Sequence, residues 1–260
     1  MGKWFVIFAA SSWGFLALFV KKLTEFGFNE MEIVTARVLV GGVWMSLFML
    51  IQSPRAFVVR PKHIPLFIGT GILSIVFFNW CYFSAMNELS VSLAAVLLYT
   101  SPAFVIIFSA LWLKESLTVA KVMAVLITMA GSALIAFSDG FNADWNVTGL
   151  LLGLGAAIGY ALYSIFGKLA LKHYSANTVT FYTFIAGLFC LLPFNFFFTE
   201  KIGLEAWGWI IGLGLIPTAL AYTLYTIGLE KMESGTAAVL ATVEPVAAVI
   251  VGVFLFDESL

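Results

Sequence analysis

The feature that most constrains this chain is the recurrence of apolar runs about 20 residues long, the length a helix needs to cross the hydrocarbon of a bilayer. Nine such runs are read: Trp4–Val20, Ile33–Ile51, Ile64–Met86, Leu93–Leu113, Val119–Phe137, Val147–Phe166, Thr178–Phe198, Ala206–Leu229 and Thr236–Phe256. The segments between them are short and leave no room for a soluble domain. A strand edge in lipid would leave backbone groups unpaired, so every run is predicted to be a helix. Composition agrees: 62% of the residues are hydrophobic and 10% charged, where a soluble chain carries about 25% charged. The N-terminus, Met1-Gly2-Lys3 followed by an apolar run, is built like a signal peptide. That run ends in Phe19-Val20-Lys21-Lys22 and not in a small-residue cleavage site, so it is read as the first span.

Charge sets the orientation. With the N-terminus in the cytoplasm, the inner segments hold Lys3, Arg55, Arg60, Lys62, Lys114, Lys121, Lys168, Lys172 and Lys231. The outer loops hold Lys21, Lys22 and Lys201, a bias that the positive-inside rule assigns to a cytoplasmic N-terminus. The expected location is the cell (plasma) membrane, crossed many times. Net charge is −1, so no nucleic-acid partner is expected. Cys81 and Cys190 both lie inside apolar runs, and His63 and His173 lie in loops without metal-ligand spacing. No cofactor or metal is expected, and no GxxxxGK[ST] loop offers a route for direct ATP drive.

The chain also repeats itself. Residues 82–117 align with residues 225–260 without gaps, giving ten identities in 36 positions. Ala94-Ala95-Val96-Leu97 matches Ala237-Ala238-Val239-Leu240, Pro102 matches Pro245, and Glu115-Ser116-Leu117 matches Glu258-Ser259-Leu260. A weaker match pairs Ala9-Ala10 with Ala156-Ala157, Trp13 with Tyr160, Phe19 with Phe166 and Lys21 with Lys168. The repeat unit therefore starts at the first and sixth spans and is five helices long. An odd number turns the second copy over in the membrane: Lys114-Glu115-Ser116 falls inside and Asp257-Glu258-Ser259 outside. The fold class expected is all-α integral membrane with two inverted five-helix repeats, residues 1–139 and 140–260. Inverted repeats are a common transporter plan with the binding site near the midplane. In the first copy Glu115-Ser116-Leu117 precedes a fifth helix; in the second, the sequence stops at Leu260. The expectation is a ten-helix plan with nine helices present and the tenth truncated.

These residues resemble the EamA branch of the drug/metabolite transporter superfamily. The carrying motifs are Ser101-Pro102 with Leu113-Lys114-Glu115-Ser116, Val243-Glu244-Pro245 with Phe256-Asp257-Glu258-Ser259, and Arg37 early in the second helix. The resemblance covers the whole chain and departs from the family pattern at the absent last helix. It implies a secondary carrier with ten helices and both termini cytoplasmic. Known members move amino acids, other metabolites or drugs, often outward, so it fixes no substrate.

Glu244 is the one acid deep inside a span. An intramembrane charge is costly and is read by default as functional. It serves as a proton-coupling acid, as the counter-charge to a substrate amine, or as a protonated acid tying up the helix that Pro245 disturbs. Pro102 is its mirror, with Ser101 in the glutamate's place, and both prolines read as hinges or packing breaks. Arg37 reads as a gate or anchor residue near the outer end of its span, with a substrate carboxylate as the alternative partner. Trp13 and Tyr160 are mid-span aromatics in matching helices. Asn79 with Tyr82, and Tyr222 with Tyr225, each share a helix face, and Tyr99 precedes the kink at Pro102. If these faces converge they make an aromatic cavity suited to aromatic, heterocyclic or cationic ligands, although packing explains each ring taken singly. Trp4, Trp112, Trp145, Trp207 and Trp209 suit interfacial belts. Gly149-xxx-Gly153, Gly155-xxx-Gly159 and Gly208-xxx-Gly212 mark close helix contacts.

The expected function is a secondary active transporter of a small metabolite such as an amino acid. It works by alternating access, with export favoured by family analogy and with coupling to protons or exchange. A passive channel or a sensory membrane module is the alternative. An intramembrane enzyme would need paired acids, His clusters or a Ser/His set within the spans, and Glu244 stands alone. The partners expected are a small-molecule substrate, the lipid bilayer and, under the coupling reading, protons; the oligomeric state is not read from the sequence.

Overall fold

The computed structural model describes residues 1–52, 54–136, 146–193 and 203–256. Among them the regular structure is entirely helical. Seven helices are long and apolar enough to span: α1 Gly2–Glu25, α2 Glu30–Gln52, α3 Pro61–Glu88, α4 Val91–Leu113, α6 Val147–Leu171, α8 Leu204–Glu230 and α9 Ser234–Phe254. Two further apolar helices are shorter, α5 Val119–Leu134 and α7 Ala176–Leu191. The matches at Asp257-Glu258-Ser259 and Leu260, the boundary near 139, Trp145 and Lys201 lie outside the described residues.

Most helices start two or three residues ahead of their apolar runs, where capping groups carry the backbone into the polar zone. Asn29 and Glu32 form a reciprocal box at the start of α2: Glu32 N–H donates to Asn29 Oδ1 at 2.9 Å, and Asn29 N–H donates to Glu32 Oε2 at 2.8 Å. Ser90, Asn146 and Ser175 accept the N–H groups of Leu93, Gly149 and Thr178 and so open α4, α6 and α7.

Three helices are broken, two of them close to the prolines read as hinges and one, α1, at a position with no such signal. α1 breaks at Phe15, between Gly2–Gly14 and Leu16–Glu25. α4 breaks at Tyr99–Thr100 and α9 at Thr242, each a few residues ahead of its proline. Proline lacks an N–H and crowds the carbonyl four residues earlier; at both breaks a threonine hydroxyl covers a nearby carbonyl, Thr100 that of Leu97 and Thr242 that of Val239, each at 2.6 Å. α3 and α8 widen to π-helix over Gly69–Phe77 and Leu215–Leu220. There Ser74 Oγ donates to Gly69 O and Thr218 Oγ1 to Leu213 O, both at 2.8 Å. Wide turns of this kind cluster at functional sites.

α1 lies along α8 and α9, while α6 lies along α3 and α4; α2 packs on α7 and α8, and α7 on α3. α5 rests outside, against α4 and α9. Small residues bring these helices together. A Cβ on Gly14 would sit 2.6 Å from the Ala247 Cβ of α9, and one on Gly153 would overlap Leu97 of α4. Gly149, Gly155, Gly159 and Gly212 likewise meet neighbouring helices, but Gly208 has nothing within 4 Å, so its place in a small-xxx-small pair carries no contact here. Outward-facing side chains are apolar: Phe8, Leu134, Phe189 and Phe254 are among the most exposed. Trp4, Trp112 and Trp207 are exposed as a lipid-facing belt requires. Trp209 instead packs edge-on against Phe19, 5.8 Å between ring centres.

Candidate functional site

The breaks in α1, α4 and α9 surround a cavity of about 490 Å³. Its wall takes residues from α1, α2, α3, α4, α6, α8 and α9. Seven of the residues singled out for substrate contact line it: Trp13, Asn79, Tyr82, Tyr99, Tyr160, Tyr222 and Glu244. Arg37, expected near the edge as a gate or anchor, also lines it. α2 begins at Glu30, so Arg37 stands two turns in, about 10 Å along the helix. Tyr225 lies just behind the wall, 3% exposed. Pro102 borders a narrow niche beside Glu244, together with Tyr99 and Tyr160.

The floor is a packed aromatic layer. Trp13 ends the first half of α1 and meets Tyr222 at 5.4 Å and Tyr160 at 6.3 Å, both edge-on, and Tyr225 at 5.3 Å in a tilted contact. Edge-to-face contacts of this kind are favourable beyond their buried area. Beneath the floor, hydroxyls tie α6 to α8: Tyr163 to Thr226 at 2.7 Å, and Ser164 to Tyr225 at 2.7 Å. Phe78 stacks on Tyr82 and meets Tyr160 edge-on at 5.5 Å. Glu244 Oε2 accepts the Tyr160 hydroxyl at 3.2 Å. Asn79 uses its amide N–H on the Ile75 carbonyl at 2.7 Å.

Sequence reasoning missed Tyr163, Phe78, Ser164 and Thr226. A signal existed for two of them, because Tyr163 lies three residues from Tyr160 and Phe78 four from Tyr82, the spacing of one helix face. Ser164 and Thr226 are short hydroxyls common in any helix and carried none.

Below the floor, on the face that carries the N-terminus, polar links close the bundle. Lys114 adopts the left-handed conformation (φ 58°), which ends α4. The Glu115 carboxylate then accepts the Ser234 N–H at 2.8 Å, the Ser234 hydroxyl at 2.9 Å and the Gly235 N–H at 3.2 Å. It thus caps α9 from across the fold, where the positive end of the helix favours an anion. Lys168 of α6 donates to the carbonyls of Leu229 and Met232, each at 2.7 Å, at the end of α8. Lys121 pairs with Glu233, which holds the Glu233 carboxyl below the usual carboxylate range. In the other direction the cavity wall runs out to Lys21, Met86 and Val91, at the far ends of α1, α3 and α4.

Among the described residues, no group of three or more His, Cys, Asp or Glu is placed to hold a metal ion. What the arrangement offers is a walled pocket with an aromatic floor, one acid, one arginine and an opening on one side, features of a site that binds a small molecule.

Comparison with known proteins agrees with that chemistry. The model of the EamA-like transporter family matches residues 1–137 and 147–260. An uncharacterized transporter of Archaeoglobus fulgidus is 32% identical over 194 residues, 73% of this chain and 68% of that protein. A second transporter from the same organism is 27% identical over all of this chain and 92% of its own length. The pseudopaline exporter CntI of Pseudomonas aeruginosa is 26% identical over 71% of this chain and 63% of its own. A crystal structure of 20% identity superposes with a TM-score of 0.82 over all of this chain and 89% of that one, a likeness of fold. With its spans, its cavity and a family match over both halves, this chain belongs to the EamA-like transporter family, and it is a multi-span membrane protein.

Proposed function

We propose that the chain is a secondary active transporter that carries a small metabolite, such as an amino acid, outward across the plasma membrane by alternating access. The observation that carries this reading is the cavity: walled by both halves, closed on the N-terminal face by the Glu115, Lys168 and Lys121 links, and reaching toward the other face. A pocket sealed on one side at a time is what alternating access requires. Outward transport is supported by the family and by one relative being named an exporter. The lysine and arginine bias supports a cytoplasmic N-terminus, so the sealed face is the inner one.

In this reading the two halves, 1–139 and 140–260, are inverted repeats of a ten-helix plan, of which the described residues supply nine. The packing supports the pairing. α1 on α8 corresponds to α6 on α3, α1 on α9 to α6 on α4, and α2 on α8 to α7 on α3. Two of the three π-helical stretches fall in the matched helices α3 and α8, the third being Ser109–Leu113 at the end of α4, and the proline breaks fall in the matched helices α4 and α9. Trp13, Asn79, Tyr82, Tyr99, Tyr160, Tyr222 and Tyr225 form the substrate surface and its support, Pro102 and Pro245 mark the hinges, and Glu244 couples transport to protons.

The test is flux in liposomes. A screen of metabolites for thermal stabilisation of the purified protein supplies the substrate, since a ligand bound by the folded state alone raises its melting temperature. Uptake or release of that hit should respond to an imposed pH gradient and saturate. Flux that is unsaturable and indifferent to pH would identify a channel instead. Glu244→Gln should abolish the pH response; unchanged pH-driven flux would remove Glu244 from coupling.

A further inference from the structure

Arg37 is the most anomalous charge in the fold. It is 4% exposed, and its Nε is a buried donor with no hydrogen-bond partner among the described residues. Glu244 shares the same cavity, yet the two do not form an ion pair among the described residues, where the pairs are Lys22–Glu25 and Lys121–Glu233. Arg37 belongs to α2 and Glu244 to α9, two helices that approach the cavity from different walls. Leaving a buried guanidinium nitrogen without a partner is unfavourable, and the planar fork of donors on this cavity-lining side chain is shaped for an oxyanion with two acceptor oxygens. The hydrogen bond that Glu244 accepts comes from Tyr160, which leaves its carboxylate with acceptor capacity.

We propose that Arg37 is the anion-binding group of the cavity, so that the transported molecule presents an oxyanion to Arg37 and a cationic group to Glu244, its body resting on the Trp13 and Tyr222 rings. The proposal rests on the transporter reading and narrows it to doubly charged ligands of opposite sign. A molecule carrying both charges satisfies both protein charges at once, whereas an amine alone leaves the Arg37 Nε as unpaired as before. The Trp13 and Tyr222 rings line the same cavity, and an apolar surface beside the two charges strengthens both contacts.

Proteoliposomes loaded with equal concentrations of simple amines, carboxylic acids, amino acids and aminoalkyl phosphates, under a proton gradient, provide the test, with efflux followed by mass spectrometry. The wild-type chain should release amino acids or aminoalkyl phosphates in preference to simple amines and acids, and which of these two leaves identifies the oxyanion. Arg37→Gln should cut that release at least about tenfold, the effect of removing a charge-assisted bidentate contact, while leaving the slower amine efflux in place. Arg37→Lys keeps the charge without the fork and should retain the preference at a reduced rate, which also decides the matter if Arg37→Gln does not fold. Release of amines alone, or identical release by wild type and Arg37→Gln, overturns this inference and leaves the transporter reading standing. An equal loss of every compound class in a monodisperse Arg37→Gln protein also overturns it, because that is the mark of a structural residue. No release of any compound by wild type would overturn the transporter reading and this inference with it.

Discussion

Trp13 supports the cavity floor through contacts with three tyrosines from two other helices. It is 9% exposed, so Trp13→Ala removes a buried aromatic from a layer that has little freedom to collapse. The expected cost is about 3–5 kcal/mol, read as a lower unfolding midpoint in detergent, with ligand binding lost as well. Trp13→Phe keeps a ring in the layer and should cost less. The Tyr163 hydroxyl is a finer case. Tyr163→Phe removes its link to Thr226, and an interhelical hydrogen bond in a membrane protein contributes about 0.6 kcal/mol on average. A small drop in midpoint with transport retained is expected; complete loss of transport would make that hydroxyl part of the site. At this scale the sequence was informative wherever chemistry was rare. A lone acid in Val243-Glu244-Pro245 and a tryptophan in mid-span stand out in any apolar run. Arg37 was visible as well, but its depth was not, because that depends on where α2 begins, and the Asn29–Glu32 box starts the helix three residues before the apolar run does.

Helix existence followed from length and apolar content, because lipid allows few alternatives. Helix irregularity did not, because a break at Phe15 or a wide turn at Gly69–Phe77 depends on what the neighbouring helix demands. The crossing of α1 over α9 is one such demand. A Cβ at Gly14 would stand 2.6 Å from the Ala247 Cβ and 2.8 Å from the Ala248 backbone nitrogen. Gly14→Val must therefore push two backbones apart, at about 1–3 kcal/mol or more for overpacking. Its unfolding midpoint should fall, and since α1 and α9 both wall the cavity, substrate affinity should fall with it. Gly27→Ala provides a contrast. Gly27 has nothing within 4 Å but sits at φ 88°, so the loss there comes from backbone strain, and affinity should be spared. The tie between α5 and the α8–α9 turn is pH-sensitive. Lys121 lowers the Glu233 carboxyl below its ordinary value of about 4.3. A depressed folded-state value gives a contribution that is present above the unfolded value and lost as pH falls through the folded one. Glu233→Gln should therefore flatten the acid limb of a stability profile below about pH 4.3 and leave neutral pH little changed, since the carboxylate is exposed and screened.

For the whole molecule, the decisive contacts join residues that are far apart in sequence, from 61 positions for Lys168 and Leu229 to 119 for Glu115 and Ser234, and local pattern says nothing of them. Glu115 was legible in the sequence as half of a repeated Glu-Ser-Leu motif; that it caps α9 through Ser234 and Gly235 was not. One carboxylate accepts three hydrogen bonds at the start of a cavity-lining helix and so ties α4 to α9 on this face. If the transporter alternates, these bonds must break before the cavity can open to the N-terminal side. Glu115→Ala should therefore shift the resting population toward the state open to the N-terminal side without abolishing the fold, because the Lys168 and Lys121 links remain. Ser164, 2% exposed beneath the floor, is a suitable reporter. In a Ser164→Cys background otherwise lacking cysteine, an impermeant maleimide applied from the N-terminal side should react slowly with the parent and faster with Glu115→Ala. A ligand that favours the state open to the opposite side should slow both reactions. Equal labelling of the two proteins would mean that the Glu115 cap does not hold the N-terminal side shut. The closure would then be assigned to the aromatic layer of Trp13, Tyr222 and Tyr225, whose separation would have to be the moving step.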